Sequence, residues 1–239
     1  MLLPVVRPLP SPPLILKTLK PGSGTGAYKL GVNYAPGILP QKQAALKGYA
    51  QNLWLHGPEH YLTEVGTMNL FVIFRMDNGG QPSSFHLGTC AHFHSQGYEL
   101  VTPPLDGMIL PGVTRDSVLS LAREHTSGSN RLSGLPDDLT VSERSVTMSE
   151  VKASSESGKL VELFGAGMFT PSLFFQLTTH FRWIGTAAVI SPVDRIGYLG
   201  QDVHIPTGPD GMGPISRPIW NELVGRQTGT IPSDWSVTI

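Results

Sequence analysis

The chain has 239 residues, with 17 lysines and arginines against 18 aspartates and glutamates and a net charge of −1. That balance, with no basic run, argues against nucleic acid or an anionic membrane as the main partner and favours a small-molecule ligand; the length allows one large core or two modest ones. The one cysteine, Cys90, excludes an internal disulfide and fits a reducing compartment, and no apolar stretch reaches the roughly eighteen residues a membrane span needs.

Residues 1–20, MLLPVVRPLPSPPLILKTLK, are apolar but carry five prolines. They read as neither signal peptide nor helix. After the glycine-rich PGSGTG, NLWLH and EHYLTEV flank a Gly57-Pro58 turn, and NLFVIF is a continuous buried-strand run. ELVTPP is a further strand, expected to form a hairpin with FVIFRMDNG. DGMILPG leads into VTRDSVLSLAREH, a helix on which Val118, Leu119, Leu121 and Ala122 share a face, with Pro111 marking its start. VSERSVT reads as a strand, and Thr147 to Glu150 has capping-box spacing before a polar helix. TAAVISPV and DVHIP are short strands, and PISRPIWNELVG is a final helix. The mixture predicts an α/β to α+β fold. Two segments, about 80–96 and 168–185, lack periodicity and interrupt otherwise coherent pairs of runs.

Four places hold residues of chemical interest. In AYKLGVNYAP, Lys29 lies among small and apolar residues with Tyr34 five positions on, and a lysine in apolar company is the type whose amine can be held neutral and nucleophilic. In TEVGTMN, Glu64 directly precedes a buried strand, where a carboxylate must be paired or hydrogen-bonded. LPGVTR opens a helix with free amides at Val113 and Thr114, an anion site. GTAAV sets Thr186 beside a glycine, where hydroxyl and amide can meet an oxyanion. Each has a plain structural reading: surface lysine, rim carboxylate, ordinary helix start, turn threonine. Together they are the parts needed to hold pyridoxal phosphate.

KLGVNYAPG, LTEVGTMNLFVIF, ELVTPPLDGMILPGVTRDSVL, VSERSVTM, ELFGAG with TAAVISPV, and HIPTGPDGMGPISRPIW closely resemble, in that order, the large C-terminal domain of branched-chain amino-acid aminotransferases. The resemblance runs from about Pro21 to Trp235 and sets a cofactor-binding large domain at 21–239. It implies a fold type IV (D-amino-acid aminotransferase-like) enzyme that uses pyridoxal 5′-phosphate to transaminate leucine, isoleucine and valine with 2-oxoglutarate or glutamate. Lys29 matches the family's Schiff-base lysine and proton carrier, Glu64 the partner of the pyridine nitrogen, and Tyr34 the hydroxyl beside the phenolic oxygen. Val113 and Thr114 match the amides on the phosphate, Thr186 its hydroxyl ligand, and Thr67 with the Ala187 amide the groups that receive the substrate carboxylate. The family works as a homodimer, and a cytoplasmic or mitochondrial location is expected.

Nothing in residues 1–20 resembles the family's small N-terminal domain, so that domain reads as missing and the 239 residues alone are expected to turn over little or no substrate. Joining FGAG to TAAV, and closing the hairpin across 80–96, restores the family pattern, so both segments read as foreign insertions of translated-intron type. The rival readings are a non-catalytic fragment, a D-amino-acid aminotransferase, an aminodeoxychorismate lyase, and a zinc module built on His86, Cys90, His92 and His94. No metal is expected. GSGTGAYKL is not a P-loop, because it lacks the Gly-Lys-[ST] ending.

Overall fold

The computed structural model describes residues 4–6, 30–76, 97–167 and 189–235, the side chains of residues 4–6 and 34 excepted. In chain order the strands are β1 (Pro4–Val6), β2 (Gln51–His56), β3 (Tyr61–Val65), β4 (Met68–Arg75), β5 (Tyr98–Thr102), β6 (Leu139–Glu143), β7 (Leu160–Ala166), β8 (Ile190–Pro192), β9 (Arg195–Tyr198) and β10 (Gln201–His204). The helices are α1 (Gly31–Tyr34), α2 (Ile38–Ala45), α3 (Val113–Ser127), α4 (Met148–Glu156) and α5 (Ser216–Gln227). The sheet runs β10-β9-β1-β2-β3-β4-β5-β6, with β7 on β4 and β8 on β7. β1 lies parallel to both β2 and β9, a strand the proline-rich N-terminus gave no sign of.

β4 is the central element. Its residues from Met68 to Phe74 are all buried, because both sides of the strand are covered. Leu70, Val72 and Phe74 pack with Leu62, Val101 and, from α4, Met148 and Val151. Phe71 and Ile73 enter the opposite layer with Val118 and Leu121 of α3 and Ile219 of α5. Burial of each such side chain contributes about 1.5–3 kcal/mol, and covering on both faces explains an apolar run without alternation. Phe71 and Phe164 stack across the β4–β7 pair at 5.1 Å between ring centres.

The helix over 113–127 buries the expected face, Val118, Leu119, Leu121 and Ala122. Thr147 caps α4 by accepting from the Glu150 amide at 3.1 Å. The strand expected over VSERSVT is shorter, ending at Glu143. There the Arg144 guanidinium bridges Glu99 and Glu150, at 2.9 and 2.7 Å, and Thr147 turns to cap the helix.

The hairpin from FVIFRMDNG to YELVTPP is present: Arg75 pairs with Tyr98, and the Met76 amide donates to Gly97 O at 2.8 Å. β7 and β8 pair likewise, with the Gly167 amide donating to Val189 O at 3.1 Å. The segments 80–96 and 168–185 lie outside the described residues, and each leaves from a ladder closed on both sides.

Candidate functional site

The site is prepared by a fork in the sheet. Asn69 pairs with Glu64 on one side and Ala166 on the other, while Val72 pairs with Val101 and Leu163. β3 and β5 therefore take successive stretches of the same edge of β4. The chain leaving β5 emerges between them, anchored where the Thr102 hydroxyl donates to Leu70 O at 2.7 Å, and residues 103–112 carry it to the start of α3.

In the fork, Glu64 Oε1 accepts from the Leu110 amide at 3.0 Å and from Asn69 Nδ2 at 3.2 Å. The bonded, partly buried carboxylate that TEVGTMN called for is thus observed. Asn69 Nδ2 also donates to Leu110 O at 2.8 Å. Two residues beyond Leu110, Gly112 forms the extended N-cap of α3, and no side chain among the described residues caps that end. A helix start of this kind carries amides without intrahelical partners and the positive end of the helix dipole, and Val113 is 83% exposed. Gly112 is dictated by close approach: a Cβ there would stand 2.1 Å from Asn69 Oδ1. Arg115 holds the helix in place from its buried side, donating to Pro103 O at 2.9 Å and pairing with Glu143 at 2.6 Å. That guanidinium, with Arg123 after it, holds the Glu143 carboxyl below the usual carboxylate range.

The fork thus joins Glu64 to the helix start at Val113 and Thr114. Thr67 is exposed in the turn between β3 and β4, beside Gly66, whose carbonyl accepts from Trp54 Nε1 at 2.9 Å. Gly37, just after α1, lies against the same indole, 3.6 Å from a Cβ position to Cζ2. This brings the chain that follows Lys29 to the same end of the sheet. Tyr34 is the last residue of α1. Lys29, Thr186, Ala187 and the side chain of Tyr34 lie outside the described residues, as do His86, Cys90, His92 and His94. Gly167 and Val189, which bracket Thr186 and Ala187, stand at the Asn69 end of β7. Among the described residues no His, Cys, Asp or Glu cluster is placed to hold a metal, and no helix is long and apolar enough to cross a membrane.

Residues 8–156 match the family described as amino-transferase class IV. The chain belongs to this family. It is 43% identical over 217 residues to the mitochondrial branched-chain-amino-acid aminotransferase of Schizosaccharomyces pombe, covering 90% of this chain and 40% of that one. The cytosolic branched-chain-amino-acid aminotransferase of Saccharomyces cerevisiae is 41% identical over 215 residues, covering 89% and 46%. In three dimensions the fold is similar to the branched-chain amino acid aminotransferase from Escherichia coli, with a TM-score of 0.57 at 22% identity, over 98% of this chain and 56% of that structure. The chain spans less than half the length of these curated relatives. Beside Glu64 and the helix start, which the sequence singles out as candidates, the fork places Asn69, Leu110 and Gly112, which it does not. The available signal was Asn69 itself, a polar residue heading a fully buried run, which must find partners.

Proposed function

We propose that this chain carries the cofactor site of a pyridoxal-phosphate-dependent aminotransferase acting on leucine, isoleucine and valine, with 2-oxoglutarate as the amino acceptor. The observation that carries the reading is the Leu110 amide bound to Glu64 Oε1, which ties an acceptor carboxylate to an uncapped helix start three residues on. The residues fit the group. A carboxylate suits a protonated ring nitrogen, and open amides at a helix start suit a phosphate. Identity of about 40% to aminotransferases named for branched-chain amino acids supports the substrate class.

Pyridoxal 5′-phosphate, when bound, supplies an aldehyde for the substrate amine and a ring that accepts the electrons of the broken Cα–H bond. In this reading Lys29 would hold the aldehyde, and its free amine would serve as the base for the substrate Cα proton. Glu64 keeps the ring nitrogen protonated and Tyr34 hydrogen-bonds the phenolic oxygen. The Val113 and Thr114 amides and the Thr186 hydroxyl hold the phosphate, and Thr67 with the Ala187 amide holds the substrate carboxylate. The cofactor domain is placed at 21–239, with 80–96 and 168–185 as insertions, and β1 of the segment before it joins the same sheet between β2 and β9. Relatives named mitochondrial and cytosolic leave those two compartments as the proposal.

The test is a coupled assay with leucine and 2-oxoglutarate. It compares the chain alone with a version that lacks 80–96 and 168–185 and is fused behind the N-terminal portion of the S. pombe relative. The fused version is expected to turn over at least about tenfold faster, because misplaced groups cost roughly a hundredfold in rate. Cofactor binding without leucine turnover in the fused version would remove the substrate assignment.

A further inference from the structure

We propose that Asn69 is a positioning residue that makes the Glu64 carboxylate and the start of α3 into one cofactor site; this rests on the pyridoxal-phosphate reading above. Asn69 is 5% exposed, and both ends of its carboxamide face the fork. Nδ2 donates to Leu110 O at 2.8 Å and to Glu64 Oε1 at 3.2 Å, while the Leu110 amide donates to the same Oε1 at 3.0 Å. These three bonds close a ring through Glu64, Leu110 and Asn69. Oδ1 fills the space above Gly112, where a Cβ would stand 2.1 Å away. The backbone of Asn69 is held by Glu64 on one side and Ala166 on the other, so the carboxamide cannot withdraw without opening the sheet.

The consequence is geometric. The Leu110 carbonyl and the Glu64 carboxylate both accept from one buried side chain, and the oxygen of that side chain fits beside Gly112 because the glycine has no Cβ. Asparagine supplies two N–H donors and a carbonyl in one planar group. Aspartate matches the shape but sets an anion against Glu64 and offers Leu110 O nothing until it takes up a proton. Leucine offers neither donor. A change at Asn69 therefore alters the ring-nitrogen end and the phosphate end together, although Asn69 itself touches neither group.

The experiment titrates pyridoxal 5′-phosphate into the native chain, Asn69→Ala, Asn69→Asp, Glu64→Ala and the Glu64→Ala/Asn69→Ala pair. Binding is read by cofactor absorbance, and folding by circular dichroism. Asn69→Ala is expected to weaken binding about tenfold or more, the range for a lost hydrogen bond to a charged group. In the Glu64→Ala background the same change is expected to cost less than about threefold, because the carboxylate it positions is gone. The shape-preserving Asn69→Asp keeps the test open if the alanine variant does not fold. Its affinity relative to the native chain should recover as pH falls and the new carboxyl takes up the proton that Leu110 O requires. Native-like binding by Asn69→Ala, an equal loss with and without Glu64, or Asn69→Asp tracking the native chain across pH would each overturn the proposal. Failure of the folded native chain to bind cofactor would overturn the functional reading, and this inference with it.

Discussion

Glu162, in the middle of β7, is the acceptor that closes the start of α5, and replacing it tests how the described frame is held. It is 3% exposed and accepts from the Ile215 amide at 2.6 Å, the Ser216 amide at 3.1 Å and the Ser216 hydroxyl at 2.5 Å. Glu162→Ala strands three buried donors, each costing about 1–3 kcal/mol when left unpaired. Partial relaxation brings the expected loss to about 3–5 kcal/mol. Glu162→Gln keeps one acceptor and the volume, and should lose about 1–2 kcal/mol, the scale of a helix cap. Urea unfolding with an unchanged m-value measures both. Burial pushes the Glu162 carboxyl up from its ordinary 4.5, against the Ser216 hydroxyl and the amides of Ile215, Ser216 and Gly213. The folded state then keeps the proton to higher pH than the unfolded chain. That contribution is fully present below the ordinary value and is lost as pH rises through the raised one. The advantage of the native chain over Glu162→Gln should accordingly shrink as pH rises. A Glu162→Ala variant within about 0.5 kcal/mol of the native chain, the range of ordinary surface changes, would refute the reasoning.

Leu199 and Gly200 form the two-residue loop between β9 and β10, with φ of 49° and 83°. Left-handed backbone costs a leucine about 1–2 kcal/mol, so Leu199→Asn is expected to raise the thermal midpoint; an unchanged or lower midpoint counts against the turn. Deleting 80–96 leaves residues 77–79 between the bonded Met76 and Gly97, and deleting 168–185 leaves 186–188 between the bonded Gly167 and Val189. Three-residue loops suit hairpins, so both deletions should fold. The second should strengthen pyridoxal 5′-phosphate binding more, because its segment adjoins Thr186. Loop length alone costs only about 0.6 kcal/mol per doubling, so equal dissociation constants for the two variants would contradict this.

Where the fold is governed by local rules, the chain could be read directly. NLFVIF announced the doubly covered β4, Gly57-Pro58 the β2–β3 connection, and Thr147 with Glu150 the start of α4. β9 escaped notice because its turn uses Leu199-Gly200 where Asn-Gly or Asp-Gly is the usual signal. α2 was hidden by Pro40, which is tolerated in the first helical turn because its missing N–H would have no intrahelical partner. At the site, Glu64 and the helix start at Val113 were legible as separate chemical types. Their connection was not, since the Leu110–Glu64 bond joins residues far apart in sequence through a fork that exists only once β3 and β5 have both paired with β4. Glu162 was silent for the same reason: its partners lie in the segment that opens α5.

The most direct measurement on the central claim is borohydride reduction of the purified chain loaded with pyridoxal 5′-phosphate, followed by peptide mapping. Lys29 stands directly before Leu30, the N-cap of α1, in the chain that packs against Trp54 near the Gly66 carbonyl. The pyridoxyl group is expected on Lys29, with labelling abolished in Lys29→Ala and weakened in Glu64→Ala. A label found mainly on Lys47 or Lys159, or unchanged after Lys29→Ala, would contradict it.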